Sequence, residues 1–436
     1  MLFLDIKKEI LQSVMEDQAE LKKKEAALSA IRKTLENIKK KADLDFEIFL
    51  GGSIAKGTNI KGSDVDVFIL FDKEFDPLKI LKELKKGFKD GREEYSEHPY
   101  LIIDFDTFSA DIVPAYKLST VSSMVTSVDR TPLHVEFVKS KFTENMKNEA
   151  RILKQFMKGI GVYGAESSIQ GFSGYVSELL IHKYHTFDRV ISEAARWTIP
   201  FSVEGSLSKF KSANLVITDP VDEERNAAAN VSLENLATMI LASRLFRLED
   251  WRLFFFPEKE EFRIPAYGFV VSIECKKCNE EVLLPNLRRI ATIIKNDLDR
   301  EGFRIIFSSV FLLDRGYIVL IPENVEINDV IIHEGPPVTN GRIMDFLEKW
   351  GGGTAFGRPF INGDRIYVLR ETRLRTIHES LSRIVRKVKL ANDFSKDTVE
   401  ILNIDDKKVP AEIKKGFLRP SLGRWSSVRI KDTVEQ

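Results

Sequence analysis

The stretch FLGGSIAKGTNIKGSDVDVFILF, residues 49–71, decides how the first part of the chain folds. It contains a Gly-Gly-Ser turn and, eleven residues after the serine, two carboxylates, Asp64 and Asp66, at the start of an apolar run. Side chains alternate between the two faces of a strand, so both carboxylates are expected on one face, with Val65 and Val67 on the other. Like charges on one strand face repel, and the arrangement therefore predicts a cation close to them.

The residues around this stretch predict a mixed sheet with helices. The expected elements are strands at 45–52 and 64–71, a helix at 53–60, a helix at 76–91 closed by Gly91, and two strands within 99–118. Ser53 is a good N-cap for the first of these helices. Asp111 lies in the last strand and is expected on the strand that neighbours 64–71. The first 140 residues therefore predict a sheet of at least four strands.

The pattern of apolar residues divides the remainder of the chain. Residues 5–42 have apolar positions three and four apart, without Gly or Pro, and predict one long helix. The pattern is helical from about 143 to 250. A strand, a helix and two strands are then expected at 267–275, 284–302, 304–313 and 316–322, followed by a Gly-rich loop and another strand within 348–369. This order predicts a split sheet packed on helices.

The composition is that of an ordinary globular protein. Of the 436 residues, 43% are hydrophobic and 30% charged, and 66 basic residues balance 66 acidic ones. Net charge therefore favours no class of partner, although residues 361–436 hold 17 Lys or Arg against 11 Asp or Glu and could contact phosphates. Apolar runs stay shorter than the roughly 18 residues of a membrane span, and charges begin too early for a signal peptide. A cytoplasmic location is expected.

Cysteine and histidine spacings give little indication of metal chemistry. Cys275 and Cys278 form C-K-K-C, but no second C-x-x-C or H-x-x-H lies nearby, so neither a structural zinc site nor a redox dithiol is predicted. His182 and His185 also have a metal-like spacing. They lie on a predicted helix without an acidic third ligand, so a partly exposed helix face is the preferred interpretation.

The aspartates have the chemistry to hold divalent cations. Two carboxylates on one strand face, Asp64 and Asp66, together with Asp111 from a neighbouring strand, can hold two cations about 3.5–4 Å apart. Mg²⁺ prefers oxygen ligands and completes its coordination with waters and substrate phosphates. The glycine turn (residues 51–53) offers backbone N–H groups to a phosphate. Together these features predict attack of a hydroxyl on the α-phosphate of a triphosphate, with pyrophosphate leaving; a surface strand with unpartnered acids is the alternative.

A Gly-Ser turn followed after about ten residues by D-x-D resembles the polymerase-beta-type nucleotidyltransferase superfamily. More narrowly, the chain is similar over nearly its full length to archaeal-type (class I) CCA-adding enzymes, which build the 3′ terminal CCA of tRNA. The resemblance adds tRNA as acceptor and CTP and ATP as donors. The blocks that carry it are EHPY (97–100), DIVPAYKL (111–118), SVDRTPLH (127–134), YGAE (163–166), GFSGYVSELLI (171–181) and DPVDEERNAAANVSLENLA (219–237).

The resemblance also implies roles for individual residues. It implies Asp64, Asp66 and Asp111 as catalytic Mg²⁺ ligands. It implies a nucleotide site formed by Gly52, Ser53, Lys56, His134, Lys154, Tyr163 and Arg225. From the residues alone, Lys154 and Tyr163 could instead be ordinary helix-face and capping residues, and His134 a core histidine.

Two residues depart from the family pattern. Lys56 stands where members often have Arg, which keeps the charge but loses the bidentate fork. Asp64 stands where some members have Glu, so the carboxylate reaches one methylene less far. Both departures leave the predicted chemistry in place and change only the expected geometry.

Arg225 lies in the last of the blocks, and the resemblance implies that it reads the base. CTP and ATP share an exocyclic amino donor next to a ring-nitrogen acceptor, whereas UTP and GTP have a carbonyl in the corresponding place. In the family an RNA backbone phosphate supplies the acceptor for the amino group, so selection needs the acceptor RNA as well as the protein. A structural pairing of Arg225 with Asp222 is the alternative.

We therefore predict an α+β multidomain protein. The expected domains are a polymerase-beta-type nucleotidyltransferase head at 1–142, a helical nucleotide-binding second domain at 143–256, and an α+β C-terminal tRNA-binding body and tail at 257–436. The expected activity is Mg²⁺-dependent, template-independent addition of C, C and A to tRNA, with recognition of tRNA by shape and backbone. Another terminal RNA nucleotidyltransferase, such as a poly(A)-adding one, and a non-catalytic RNA-binding relative are the alternatives. No membrane partner is expected, and a homodimer is left open.

Overall fold

The computed structural model describes residues 3–72, 74–95, 99–118, 126–257, 268–276, 278–327, 330–371, 376–395, 398–416 and 424–427. The chain divides into two compact units, Met1–Glu260 with Pro420–Gln436, and Glu261–Arg419. The predicted head and helical domain both lie in the first unit, and the division of the chain into three domains stays a prediction. Part of the EHPY block and part of the basic stretch 361–436 lie outside the described residues.

The N-terminal segment forms two helices, so the prediction of one helix over residues 5–42 is wrong. The helices are α1 (Phe3–Val14) and α2 (Gln18–Lys41). Asp17 caps the second one: its side chain accepts from the backbone N–H groups of Ala19 and Glu20, and the Glu20 side chain accepts from the N–H of Asp17. The apolar face of α1 is buried in the core of the helical domain, whereas α2 packs in the core of the head. The break lets one segment contribute to two cores.

The head contains a five-stranded mixed sheet. Its strands are β1 (Glu47–Leu50), β2 (Val65–Phe71), β3 (Arg92–Tyr95), β4 (Pro99–Asp104) and β5 (Ser109–Tyr116), in the order β1-β2-β5-β4-β3. Strands β2 and β5 run parallel, and the other neighbouring pairs are antiparallel. Two helices lie between the strands, α3 (Gly52–Lys56) and α4 (Pro77–Gly87). The second ends at Gly87 and therefore before the predicted stop at Gly91.

The faces of β2 are those that alternation predicted. Val65, Val67 and Ile69 are buried in one apolar cluster with residues of α2 and α4. Phe68 and Leu70, on the other face, belong to a separate cluster. The face that carries Asp66 is therefore not the face that packs against α2 and α4.

The helical domain is built on an apolar core that includes Phe156, Phe187 and Trp425. Its helices are α5 (Thr131–Lys141), α6 (Glu144–Gly159), α7 (Gly174–Tyr184), α8 (Phe187–Ala194), α9 (Leu233–Leu245) and α10 (Trp251–Phe255). Trp425 lies in a short 3-10 turn, Arg424–Ser427, and its ring is 5.7 Å from that of Phe254. A segment near the end of the chain therefore belongs to the core of the first unit.

The prediction that residues 143–250 are helical throughout is wrong for one part. Three strands lie there, β6 (Phe201–Glu204), β7 (Leu215–Asp219) and β8 (Asp222–Asn226), and they form a small sheet in the order β6-β7-β8. The sequence of β8, DEERN, is polar throughout, so it lacks the alternation that identifies a strand. Within the same region His185 has a φ of 70° and separates α7 from α8.

The second unit contains the predicted split sheet packed on helices. One sheet has the order β10-β11-β9-β15, formed by β9 (Phe269–Glu274), β10 (Ile305–Leu312), β11 (Arg315–Pro322) and β15 (Glu400–Asn403). Helices α11 (Glu280–Glu301) and α13 (Ile377–Lys387) share one core with it, and α14 (Ala411–Gly416) contributes to a second core. A smaller sheet is formed by β12 (Val330–Pro337), β13 (Phe360–Asn362) and β14 (Arg365–Glu371), in the order β12-β14-β13. It packs against helix α12 (Ile343–Trp350). The α+β class is confirmed.

Two further features of the described residues bear on the sequence predictions. Cys275 and Cys278 are joined by a disulfide bond, although their spacing predicted neither a redox dithiol nor a zinc site. Among the described helices, none combines the length and the apolar character needed to cross a bilayer.

Candidate active site

The glycine turn brings the backbone against a carboxylate. The N–H of Gly51 donates to the carbonyl of Asp66 at 2.8 Å, which ties the end of β1 to β2. Gly52 follows with a φ of 59°, and a Cβ added there would overlap Asp66 Oδ2. Glycine is therefore needed for both the backbone angle and the space. Ser53 is not the N-cap that the sequence predicted; Gly51 occupies that position, and Ser53 lies inside the first turn of α3.

The predicted metal ligands lie at the ends of two neighbouring strands. Asp66 of β2 and Asp111 of β5 are directly paired in the parallel register, so the sheet places them side by side. Asp64 lies two residues before Asp66, is exposed, and accepts hydrogen bonds from the N–H and hydroxyl of Ser109 at 3.3 and 2.8 Å. The placement of Asp111 on the strand that neighbours β2 is confirmed.

Burial and mutual repulsion disfavour the charged form of both paired aspartates. Burial raises the pKa of Asp66 to about 6, with Lys56 opposing the shift and Asp64 adding to it. Burial also raises the pKa of Asp111 to about 7, and the charges of Asp66 and Asp64 contribute. Lys56 and Arg92 offset the burial and repulsion of these two adjacent carboxyls only in part, and a divalent cation would supply further positive charge.

The residues present could bind a divalent cation, although the described side chains do not form a complete set of metal ligands. Asp111 Oδ1 is buried and has no hydrogen-bond partner among the described residues. Oxygen donors of this kind are the ligands that Mg²⁺ prefers. Within the described part of the chain, no three His, Cys, Asp or Glu side chains are gathered closely enough to hold a metal ion by themselves. Asp64, which would be the third, is bonded to Ser109.

Both predicted lysines bind one buried glutamate. Lys56, at the end of α3, donates to Glu178 Oε2 at 2.6 Å, and Lys154 of α6 donates to Glu178 Oε1 at 2.8 Å. Thr58 donates its hydroxyl to the same carboxylate and accepts from Lys154 at 2.9 Å. Burial would raise the pKa of Glu178, but Lys154 and Lys56 outweigh it and lower the pKa to about 2. Glu178 is therefore a carboxylate anion inside the protein.

Tyr163 lies beside this cluster. Its backbone pairs with that of Phe172 in an isolated bridge, and burial raises the pKa of its hydroxyl above the usual value. A Cβ built on Gly174 would lie 3.0 Å from the Tyr163 hydroxyl and 3.6 Å from Lys154 Nζ. The absence of a side chain at Gly174, the first residue of α7, leaves room for both polar groups.

His134 and Arg225 converge on a second buried carboxylate, that of Asp219. His134 Nε2 is 2.9 Å from Asp219 Oδ2, and Arg225 Nη1 donates to the same oxygen at 2.7 Å. Tyr175 donates its hydroxyl to Asp219 Oδ1 at 3.0 Å and stacks on His134 with ring centroids 3.9 Å apart. Burial lowers the pKa of His134, although Asp219 opposes the shift. The partner of Arg225 is therefore Asp219 and not Asp222, which pairs with Arg130 at 3.2 Å.

The two clusters are connected through one lysine. Lys56 Nζ lies 5.2 Å above the centre of the Tyr175 ring, within the range of a cation–π interaction. The predicted site residues of the glycine turn, α6 and β8 are thus brought together around two carboxylates that sequence reasoning missed, Glu178 and Asp219. Glu178 could have been noticed, because it is a single charge within the apolar run YVSELLI. Asp219 has no such signal.

Family models match three consecutive parts of the chain. A nucleotidyltransferase domain matches residues 31–141, the second domain of tRNA nucleotidyltransferases matches residues 148–256, and the C-terminal domain of CCA-adding enzymes matches residues 266–402.

Curated relatives match nearly the whole chain. The CCA-adding enzyme of Picrophilus torridus is 34% identical over 413 residues, which are 92% of this chain and 95% of that protein. The CCA-adding enzyme of Pyrobaculum islandicum is 36% identical over 387 residues, covering 85% and 90%. That of Saccharolobus solfataricus is 32% identical over 430 residues, covering 94% and 98%. The chain belongs to the family of CCA-adding enzymes.

Membership of the CCA-adding family confirms the resemblance that the sequence blocks indicated. The nucleotidyltransferase match spans the glycine turn, the three aspartates and His134, and the second-domain match spans Lys154, Tyr163 and Arg225. The roles of these individual residues in a CCA-adding enzyme stay predictions.

Proposed function

We propose that this protein adds C, C and A to the 3′ end of tRNA, using CTP and ATP and no nucleic-acid template. The observation that carries the proposal is the match to CCA-adding enzymes over most of the chain, at 32–36% identity for the three relatives above. The paired carboxylates of β2 and β5 support the proposal, because oxygen ligands of this kind could hold the divalent cation that nucleotidyl transfer uses.

In the proposed reaction the 3′-hydroxyl of tRNA attacks the α-phosphate of the nucleotide, and pyrophosphate leaves. We propose that Asp64, Asp66 and Asp111 hold Mg²⁺, which when bound activates the hydroxyl and offsets the charge of the phosphates. The parallel pairing of β2 with β5 fixes the spacing of Asp66 and Asp111. Ser109 orients Asp64 through two hydrogen bonds.

The triphosphate is proposed to lie along the glycine turn. Gly52 and Ser53 would offer backbone and hydroxyl donors, and Lys56 would offer charge from the end of the same short helix. Lys154, Tyr163 and His134 would complete the site from the helices α5 and α6 and the turn after α6. The positive charge of the lysines suits a substrate that carries several negative charges.

Arg225 is proposed to read the base. A guanidinium has five N–H donors in a rigid fork, and the hydrogen bond to Asp219 occupies one of them. The buried carboxylate thereby fixes the side chain while other donors remain for a ring nitrogen. In the family an RNA phosphate accepts from the exocyclic amino group, so the same Arg would serve CTP and ATP alike.

The acceptor is proposed to bind through the C-terminal body and tail. The basic surplus of residues 361–436 suits a phosphate backbone. Recognition by backbone and shape would suit an enzyme that must act on every tRNA. A cytoplasmic location stays a prediction, and a homodimer stays open.

The test is incubation of the protein with tRNA that lacks CCA and with each labelled nucleotide, followed by sizing of the products. CTP alone should add two residues, CTP with ATP should add three, and UTP or GTP should add none. A long run of A with ATP alone would identify the poly(A)-adding alternative. No incorporation from any nucleotide would favour a non-catalytic RNA-binding relative.

A further inference from the structure

Glu178 is a charged residue in the middle of α7 whose side chain is fully buried. A carboxylate removed from water is unfavourable unless cations and donors surround it. Its partners are two lysines and one hydroxyl, from Lys56, Lys154 and Thr58. None of the roles assigned above to the metal ligands, the triphosphate contacts or the base contact uses this carboxylate directly.

The partners of Glu178 come from separate parts of the chain. Lys56 and Thr58 follow the glycine turn, whereas Lys154 lies almost a hundred residues later on α6. Lys154 Nζ donates to Glu178, to the Thr58 hydroxyl and to the Thr58 carbonyl at 2.8, 2.9 and 3.1 Å. An ammonium group has three donors, so these three acceptors hold it in one position.

We infer that Glu178 is a positioning residue for nucleotide binding, which holds Lys56 and Lys154 side by side next to the glycine turn. The inference rests on the proposed nucleotidyl transfer, in which Lys56 serves the triphosphate and Lys154, whose three donors are all bonded, contributes its charge. With two ammonium groups and one carboxylate, the cluster keeps one net positive charge close to Asp66. Without the carboxylate, the two buried ammonium groups would repel each other and lose their common acceptor.

The charged state of Lys154 depends on the groups around it. Burial lowers its pKa, Glu178 opposes this, and Lys56 and Arg151 lower it further. Tyr163, the other titratable group beside it, is held neutral because burial raises its pKa. Removing the charge of Glu178 should therefore lower the pKa of Lys154 again. Binding that needs this ammonium is present below its pKa and is lost as pH rises through it.

Two substitutions separate charge from shape. Glu178→Gln keeps the size of the side chain but removes its charge, so the KM for CTP and ATP should rise about tenfold or more. The alkaline limb of its pH profile should also move to lower pH. Glu178→Asp keeps the charge but shortens the reach, so it should raise KM with a smaller movement of that limb. Binding of tRNA by either variant should change less than twofold.

Glu149 offers a matched control. It is another buried glutamate, on α6, and it pairs with Lys7 at 2.8 Å in the core of the helical domain. Its hydrogen bonds and ion pair in the described structure involve none of the predicted site residues. Glu149→Gln should lower the melting temperature without moving the KM or the pH profile. A purely structural role of Glu178 would make its variants behave like this control.

The closing experiment measures single-turnover addition to tRNA lacking CCA, and equilibrium binding of CTP to the protein alone, from pH 6 to pH 10, for the wild type and the three variants. A Glu178→Gln profile that overlies the wild-type profile, with an unchanged affinity for CTP, would overturn the inference. A wild type that binds CTP but adds nothing to tRNA would overturn the proposed function instead. In that case the CTP-binding arm still decides the role of Glu178.

Discussion

Gly52 provides a direct test of the candidate site, because the structure leaves no room for a side chain there. Gly52→Ala adds one methyl group at a φ of 59°, and this methyl would overlap Asp66 Oδ2. The left-handed backbone alone costs an ordinary residue about 1–2 kcal/mol. The overlap acts in addition: the carboxylate or the turn must move, and a displacement of about 1 Å at a catalytic group can reduce the rate about a hundredfold.

Gly62 supplies the control for the cost of the backbone. Its φ is 76°, also left-handed, and no atom of the described structure lies within 4 Å of an added Cβ. Gly62→Ala should therefore lose about 1–2 kcal/mol of stability and keep its activity. Gly52→Ala should lose at least as much stability and, in addition, about a hundredfold in the rate of addition.

The assay is single-turnover addition of CTP to tRNA lacking CCA, together with thermal melts of both variants. The melts give the fraction of each variant that is folded at the assay temperature, and the rates are corrected for it. The ratio of the corrected rates of Gly52→Ala and Gly62→Ala then reports the effect of the overlap with Asp66. If Gly52→Ala retained a rate within a few fold of Gly62→Ala, the close approach of the turn to the carboxylate would have no part in catalysis.

Three further predictions test other parts of the proposal. Arg225→Ala should lower the single-turnover rates with CTP and ATP, and the preference for them over UTP, about tenfold to a hundredfold, because it removes a charged donor worth about 1.5–3 kcal/mol. The control is Lys209→Ala, which removes the partner of Glu224 on the same hairpin and should leave the CTP to UTP ratio unchanged. Asp111→Asn should abolish addition of both C and A. The pKa of Asp111 is raised from 3.8 to about 7 by burial and then by Asp66 and Asp64, so without metal this carboxyl favours the folded state below about pH 4 and loses that contribution as pH rises towards 7. In EDTA, the stability of the Asp111→Asn variant relative to the wild type should therefore increase as the pH rises across that range, and thermal melts would measure it. A stability difference that does not change with pH would contradict the raised pKa of Asp111. Affinity for tRNA should fall steeply with salt, with a log-log slope of several units, if the basic stretch 361–436 contacts phosphates; a flat dependence would assign tRNA binding to another region.

Local pattern predicted part of the site correctly, although Asp64, expected on one strand face with Asp66, precedes the first residue of β2. Strand alternation placed Asp66 opposite the face that carries Val65 and Val67, and the structure confirms this. Asp111 was separately expected on the neighbouring strand, where it pairs with Asp66. A period of two is a property of the extended backbone, so it assigned the faces of β2 although both of them carry buried apolar residues.

Predictions that depended on helix boundaries were less successful. Ser53 has the chemistry of an N-cap, but the turn runs so close to Asp66 that the helix begins at Gly52. The helix expected over residues 5–42 is broken at Asp17, since its two halves pack in different cores. Propensity over a window cannot show that two halves of a segment have different partners.

Long-range partners were the hardest part to predict. Four acidic residues precede Arg225 closely in sequence, Asp219, Asp222, Glu223 and Glu224, and the irregular register of the hairpin between β7 and β8 decides that it bonds Asp219. Glu178 meets Lys56 and Lys154 only because three separate segments fold together. Pairings of this kind depend on tertiary structure and have no periodicity along the chain.

Lys56 interacts with charged and aromatic groups in each part of the candidate site. Its ammonium lowers the pKa of Asp66, bonds Glu178 and lies over the ring of Tyr175, which in turn donates to Asp219 beside Arg225. A compact ammonium on a flexible stem can meet a carboxylate and an aromatic face at the same time. In this chain Lys56 therefore joins the carboxylates of Asp66 and Glu178 to the Tyr175 ring, and through that ring to Asp219 and Arg225.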